Sequence, residues 1–155
     1  MIRLQTYDPS HFADFKHTAI SEYVVDLMTN HRMDEQAALK KATDGVVNAF
    51  PDGVSTDQNK MLSIMKQSDK GEAAVGHLWY ARNDENSIFI MDFLVYSEHR
   101  GMGYASQALE ILKATLKAEG LTRIGLRVEP NNQAAIRVYE KVGFVVTGWN
   151  MANVL

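Results

Sequence analysis

The chain has 155 residues, of which 46% are hydrophobic and three are prolines, a composition typical of a single globular domain. It contains no cysteine, which excludes disulfides, thiolate metal sites and a cysteine nucleophile and fits a reducing compartment. Sixteen basic and nineteen acidic residues give a net charge of −3, which argues against a nucleic-acid partner. No apolar run is long enough to cross a membrane, and the first residues lack a signal peptide pattern. We therefore expect a cytoplasmic protein that binds neither membrane nor nucleic acid.

The first third of the chain predicts one strand followed by two amphipathic helices. Residues 2–7 alternate in polarity as a strand does. Apolar residues then recur at helical spacing over residues 12–27 and again over residues 39–50, the second time after Asp34 as a candidate helix cap. A turn signal at residues 51–53 closes this region.

The rest of the chain predicts strands around two further helices. Residues 61–65 and 73–80 are predicted to form a hairpin. Residues 88–95 are apolar on both faces except for Asp92, which is typical of a central buried strand. A helix is predicted over residues 103–119. The remaining elements are a strand, a short helix and two more strands, over residues 124–128, 131–142, 143–146 and 150–154.

These elements follow the order βααβββαβαββ. We expect an α/β (α+β) fold in which helices flank a mixed, mainly antiparallel central sheet of about seven strands. No internal repeat or Pro/Gly/Ser-rich linker divides the chain, so residues 1–155 are expected to form a single domain.

The segment from Arg100 to Ala105 lies between the predicted buried strand and the helix after it. Its glycines allow the backbone to approach a ligand closely, and the first N–H groups of a helix attract an anion such as a pyrophosphate. A tight turn without a ligand is the alternative. Ser106 stands where the third glycine of a Gly-x-Gly-x-x-Gly motif would be, and the segment is not a Gly-x-x-x-x-Gly-Lys loop, so nucleotide hydrolysis and hydride transfer are disfavoured.

Two motifs in order resemble those of a known family. Arg100-x-x-Gly103-x-Ala105 resembles the Arg/Gln-x-x-Gly-x-Gly/Ala motif of the GNAT superfamily of N-acetyltransferases. The downstream segment Asn132-x-x-Ala135-Ile136-x-x-Tyr139-x-x-x-Gly143-Phe144 resembles a second motif of that superfamily. The similarity is sharpest over residues 88–146, and the order of elements extends it over the whole chain. The resemblance implies one N-acetyltransferase domain over residues 1–155 that uses acetyl-coenzyme A.

The resemblance also implies which residues bind the cofactor. Its pyrophosphate would rest on the loop and the helix start, at Arg100, Gly101, Met102, Gly103, Tyr104, Ala105 and Ser106. Its pantetheine arm would add like a short strand to the end of the buried strand, because its amides can form β-type hydrogen bonds with an open edge. The residues implied around the arm are Phe93, Leu94, Val95, Asn132 and Ala135.

Acetyl transfer to an amine requires a proton donor for the departing thiolate and a base for the acceptor ammonium. The resemblance implies Tyr139 as the donor, and the alternative is a packed core aromatic. Asp92 is the best candidate for the base, because it is the one charge in an apolar strand, where desolvation makes a carboxylate more basic. A structural carboxylate bonded to backbone or arginine is an equal alternative. Glu98 is interpreted as a solvated charge, and His77 as a packed or hydrogen-bonded residue rather than a base.

The predicted function is transfer of an acetyl group from acetyl-coenzyme A to a primary amine of a small molecule or peptide, by direct attack in a ternary complex. Residues 1–57, which include the acceptor side implied by the family, hold nine acidic and five basic residues and favour a cationic acceptor. A non-catalytic acyl-coenzyme A sensor or partner module is the alternative, and a nucleotide-phosphate binder is a third hypothesis.

Two further expectations concern metals and assembly. The five histidines show no His-x-x-x-His spacing, so we expect no metal site. Exposed strand edges, together with the short strand predicted at the C-terminus, favour a homodimer.

Overall fold

The computed structural model, which describes residues 1–69 and 71–151, has one five-stranded sheet with helices on both faces. The strands are β1 (Ile2–Thr6), β2 (Asn59–Ser68), β3 (Gly71–Asp84), β4 (Ser87–Val95) and β5 (Arg123–Leu126). The helices are α1 (Phe12–Asn30), α2 (Glu35–Ala49), α3 (Tyr104–Ala118) and α4 (Gln133–Lys141). Within these described residues, no helix has the length and apolar character of a membrane span.

The strands lie in the sheet in their sequence order, from β1 to β5. The first four form antiparallel pairs, whereas β5 pairs in parallel with β4 after the crossover through α3. The sheet is therefore mixed and mainly antiparallel. Asp34 caps α2 as expected, since its carboxylate accepts a hydrogen bond from the N–H of Ala37 at 3.0 Å.

The prediction of about seven strands is wrong, since the described sheet has five. Residues 143–146, expected as a strand, instead follow the end of α4. The N–H of Gly143 bonds the carbonyl of Glu140 and the N–H of Phe144 bonds the carbonyl of Tyr139, both at 3.0 Å. These bonds satisfy the last carbonyls of the helix. Of the apolar residues here, Phe144 packs against the core, whereas Val145 and Val146 are exposed. The strand expected over residues 150–154 falls mostly outside the described residues, and residues 150–151 are not in a strand.

The two faces of the sheet carry different apolar cores. On one face, α1 and α2 cover an aromatic cluster that contains Phe15, Phe50 and Trp79. On the other face, α3 and α4 cover an aliphatic cluster that contains Leu78 and Leu112. Side chains of a strand alternate between faces, so neighbouring residues of β3 contribute to different cores.

Strand β4 contains a β-bulge at Met91. Ile90 is opposite Tyr80 and Asp92 is opposite Trp79, so Met91 has no opposite residue on β3. Ile90 and Phe93 both pack into the core beneath α3, although they are three positions apart. An odd separation on one face requires the extra residue, because regular alternation has a period of two. The bulge therefore turns Asp92 toward the face covered by α1.

Gly76 sets how closely β3 approaches the end of β4. A Cβ atom at this position would lie 2.2 Å from the carbonyl oxygen of Leu94, a backbone atom that no side-chain rotation can move away. We expect Gly76→Ala to displace the β4 end and to lower the free energy of unfolding by about 1–3 kcal/mol. Denaturant titration followed by circular dichroism measures this change.

Gly148→Ala is the matched control for that variant. A Cβ at Gly148 would meet no atom within 4 Å, so the same chemical change should leave stability within about 0.5 kcal/mol of the parent. Equal stability of the two variants would contradict the close approach at Gly76.

Candidate active site

Strands β4 and β5 separate halfway along β4. Their parallel pairing ends at Ile90 and Leu126, whereas β4 continues to Val95. Over residues 92–95, β4 pairs only with β3 in the part of the chain that the structure describes. The other edge of this segment is open, and an extended group that carries amides could pair there as a further strand does.

The loop after β4 leads into a helix N-terminus without a side-chain cap. Gly101 and Gly103 both have φ of 76°, in the left-handed region that glycine adopts without strain. Gly103 is the N-cap of α3, and no side chain bonds the first N–H groups of this helix. These N–H groups and the positive end of the helix dipole can bind an anion.

Arg100 fixes this loop to the end of β4. Its Nε atom donates a hydrogen bond to the carbonyl oxygen of Val95 at 3.0 Å. The guanidinium group therefore adds positive charge beside the open edge of β4, while one of its donors holds the loop in place. The predicted pyrophosphate loop and the predicted strand edge are thus adjacent in the structure.

Tyr139 reaches the same strand from α4. Its ring packs against those of Phe93 and Phe144, with centroids 6.4 Å and 5.7 Å away. Burial, and then the negative charge of Asp92, raise the pKa of Tyr139 to about 12. The hydroxyl therefore keeps its proton at neutral pH and can donate a hydrogen bond.

Asn132 begins α4 and caps it. Its side-chain oxygen accepts a hydrogen bond from the N–H of Ala135 at 3.2 Å. The two residues that the second motif places at the cofactor are therefore joined in one cap, which fixes the start of the helix that carries Tyr139. A role of Asn132 toward a ligand stays a prediction.

Asp92 and His77 form a hydrogen-bonded pair. The distance between His77 Nε2 and Asp92 Oδ2 is 2.8 Å. The His77 side chain is 6% exposed, whereas that of Asp92 is 26% exposed. His77 is thus a packed and hydrogen-bonded residue, as the sequence indicated, and its partner is the residue predicted as the base. The alternative partners considered for Asp92, a backbone group or an arginine, do not appear among its described side-chain hydrogen bonds.

Helix α1 passes over this pair. Near its start, Phe15 packs edge-on against the imidazole, with centroids 5.3 Å apart. Two turns later, burial and then the negative charge of Asp92 raise the pKa of Glu22. Near its end, Asp26 brings a carboxylate oxygen within 4.8 Å of one from Glu129, which follows β5. The helix therefore crosses from β3 to the end of β5 and covers the region where β4 and β5 separate.

Glu22 is a charged residue near this pair that the sequence reasoning missed. It lies seven residues after Phe15, and residues seven apart lie on similar sides of a helix. That spacing could have placed this exposed carboxylate at the border of the apolar stripe of α1. Glu98, by contrast, is exposed, in agreement with its interpretation as a solvated charge.

The chain belongs to the acetyltransferase (GNAT) family, whose model matches residues 19–144. Two Bacillus subtilis proteins are similar in sequence. YdgE, an uncharacterised N-acetyltransferase, is 27% identical over 155 residues, which cover 98% of this chain and 97% of YdgE. YycN, also an uncharacterised N-acetyltransferase, is 35% identical over 109 residues, which cover 68% of each chain. These findings confirm the family that the two motifs predicted.

Solved structures show the same fold. The crystal structure of YycN from Bacillus subtilis superposes with a TM-score of 0.87 at 26% identity, covering 100% of this chain and 99% of that one. A spermidine N-acetyltransferase from Vibrio cholerae, crystallised with CoA and spermine, superposes with a TM-score of 0.63 at 15% identity. That alignment covers 95% of this chain and 82% of the other. At this identity, the second match describes the fold alone.

The raised pKa of Tyr139 can be tested by following phenol ionisation in the ultraviolet as the pH is increased. The difference between the parent and Tyr139→Phe should show one phenol that ionises at about pH 12. Because burial disfavours the phenolate, this ring stabilises the fold fully below about pH 10, and the contribution is lost as the pH rises toward 12. The same titration on urea-unfolded protein is the control, in which the phenol should ionise near pH 10. Ionisation near pH 10 in the folded protein would show that the ring is solvated.

Proposed function

We propose that this protein transfers an acetyl group from acetyl-coenzyme A to a primary amine by direct attack in a ternary complex. One observation carries the proposal. The open edge of β4 leads to an uncapped helix N-terminus. Two groups suited to proton transfer, Tyr139 and Asp92, lie beside this edge. Family membership supports the same reaction.

The described residues fit coenzyme A chemically. The uncapped N–H groups at the start of α3 suit a pyrophosphate, and Gly101 and Gly103 add no side chain at their two positions of the loop. The open edge over residues 93–95 suits the two amides of a pantetheine arm. The arm would bring its thioester toward Asp92 and Tyr139, on the β4 side of α4.

When bound, acetyl-coenzyme A supplies an activated acyl carbonyl and a thiolate leaving group. In the net reaction a nitrogen–carbon bond forms and the carbon–sulfur bond breaks. The acceptor nitrogen loses two protons, of which one passes to the protein before attack and the other balances the proton that the sulfur gains. The chain has no cysteine, so the acetyl group cannot rest on an enzyme thiol. The protein must therefore hold both substrates at once and supply both proton-transfer groups.

Tyr139 is the proposed donor to the departing sulfur. Its pKa of about 12 lies well above that of a free thiol, about 8.5, so complete proton transfer to the thiolate is uphill. The hydroxyl therefore acts first as a hydrogen-bond donor that stabilises the negative charge developing on sulfur. Its fixed place against Phe93 keeps that donor beside the open strand edge.

Asp92 is the proposed acceptor of the ammonium proton. One of its oxygens bonds His77, and the side chain is partly exposed on the face covered by α1. A neutral amine is the nucleophile, so removal of this proton must precede or accompany attack on the carbonyl.

A cationic acceptor fits the charge around this base. Glu22 is close enough to Asp92 for that charge to raise its pKa, and Asp26 and Glu129 bring carboxylate oxygens together at the far end of α1. Glu129 is ion-paired with Arg127, so the attraction for a second positive charge on the acceptor would come from Glu22, Asp26 and Asp92. Polyamines, aminoglycosides and lysine side chains carry such charge.

Release of free thiol from acetyl-coenzyme A tests the function directly. A panel of polyamines, aminoglycosides, lysine peptides and neutral primary amines should give release that depends on the amine, with higher kcat/KM for the cationic members. Mass spectrometry of the product should show one added acetyl group on nitrogen. No amine-dependent release with any member would contradict the transferase proposal.

Tyr139→Phe separates an enzyme from a non-catalytic acyl-coenzyme A sensor. The variant keeps the packed ring and loses only the hydroxyl, so coenzyme A binding measured by calorimetry should be retained. Turnover should fall at least about tenfold. Unchanged turnover would remove Tyr139 from the mechanism.

The conformation of the loop between β4 and α3 predicts where the cofactor binds. Gly103 has φ of 76°, which a β-branched residue cannot adopt without strain, and a branched side chain would also stand where the pyrophosphate must approach. We expect Gly103→Val to weaken coenzyme A binding at least about tenfold by calorimetry. Gly148→Val, in open space, is the control and should bind as the parent does. Unchanged affinity in Gly103→Val would place the cofactor elsewhere.

A further inference from the structure

His77 is the one buried histidine of the five, with 5% of its surface exposed. A buried imidazole needs a partner, since an unsatisfied polar group in the interior is strongly destabilising. Its partner is Asp92, at 2.8 Å from Nε2 to Oδ2. The pair therefore joins a rigid interior group to a carboxylate that reaches the proposed acceptor side.

We propose that His77 is a positioning residue for Asp92, an inference that rests on the proposed function. Neutral His77 donates its Nε2 proton to Oδ2, which orients the carboxylate and favours its ionised form. Oδ1 is left to take a proton from the acceptor ammonium. In this step an N–H bond of the ammonium breaks, an O–H bond forms on Asp92, and His77 keeps its own proton.

Packing fixes the imidazole on several sides. Its ring lies edge-on to Phe15 at 5.3 Å, to Tyr7 at 6.4 Å and to Tyr96 at 6.1 Å between centroids. These contacts come from α1, from the segment after β1 and from the segment after β4. The three parts of the chain together restrict rotation of the imidazole ring. A donor held in this way restricts the rotamer of the carboxylate that it bonds.

The unequal exposure of the pair distinguishes positioning from a purely structural role. His77 is almost fully enclosed, whereas the side chain of Asp92 is 26% exposed. The bulge at Met91 produces this asymmetry, because it turns Asp92 out of the core beneath α3 and toward His77. The carboxylate thus has one oxygen facing the interior and one available to a substrate.

Few nearby groups change charge in the working pH range. Burial raises the pKa of both Tyr7 and Tyr139 to about 12 and also raises the pKa of Tyr96, so these phenols stay neutral. The charged groups that act on this region are Arg100 and Glu22, and burial and then the charge of Asp92 raise the pKa of Glu22.

The pH dependence of kcat/KM tests the inference. His77→Leu removes the hydrogen bond that favours the ionised carboxylate, so the acidic limb of kcat/KM should move to higher pH. The maximal rate should also fall at least about tenfold, since the carboxylate is no longer held in place. His77→Gln can present an amide N–H near the Nε2 position. It should restore part of the rate and bring the acidic limb most of the way back to its position in the parent.

Ser87→Ala is the matched control. Ser87 is buried at the start of β4, at the opposite end of this strand from Asp92, and its hydroxyl donates to Asp84 Oδ2 at 2.7 Å. Losing that donor removes a comparable buried hydrogen bond to a carboxylate without touching Asp92. This variant should melt at a lower temperature but keep the acidic limb of the parent.

The outcomes separate the inference from the proposed function. An active parent whose acidic limb does not move in His77→Leu would overturn the positioning role alone. If thiol release by the parent does not depend on an added amine, the proposed function is overturned, and the inference with it. Nitrogen-15 NMR adds a readout that does not depend on turnover: a proton on His77 Nε2 at pH 7 is expected, and its absence would overturn the assigned donor.

Discussion

The extra residue at Met91 is the constraint on which the rest of the site depends. Without it, Asp92 would share a face with Ile90 and lie in the aliphatic core beneath α3. A lone carboxylate there would be strongly destabilising. The bulge instead gives Asp92 a hydrogen-bond partner on β3, and it returns Phe93 to the α3 side, where Tyr139 packs. One irregularity in one strand therefore places Asp92, the proposed base, and Phe93, which packs against the proposed proton donor, on opposite faces of the sheet.

The two faces then have separate tasks in the proposed reaction. The α3 face is aliphatic and carries the loop and helix terminus suited to the cofactor. The α1 face is aromatic and acidic, and it holds His77, Asp92 and Glu22. The gap between β4 and β5 connects the faces, so an acyl group bound from one side can meet an amine bound from the other. Because Gly76 has no side chain, β3 can lie close to the end of β4 beside this gap.

The sequence predicted the helices, the first five strands and the family well, because periodicity and short motifs are local properties. Asp34 as a cap and Asp92 as the charge of a buried strand were readable in the same way. The missed features depend on contacts between distant segments. Residues 143–146 have a strand-like pattern but bond to the end of α4. No local pattern marks the bulge at Met91, and hence none pairs His77 with Asp92, fifteen residues apart.

The open edge of β4 has a consequence beyond catalysis. Unpaired N–H and C=O groups along a strand are a template for another chain, which is why natural sheets protect their edges against aggregation. Here the edge lies inside the sheet, in a gap bounded by α1, α4 and the loop after β4, and a neighbouring polypeptide would have to enter between those elements. A narrow cofactor arm can enter where a folded chain cannot. A recess that admits such an arm but excludes a folded chain would protect this strand edge against edge-to-edge aggregation.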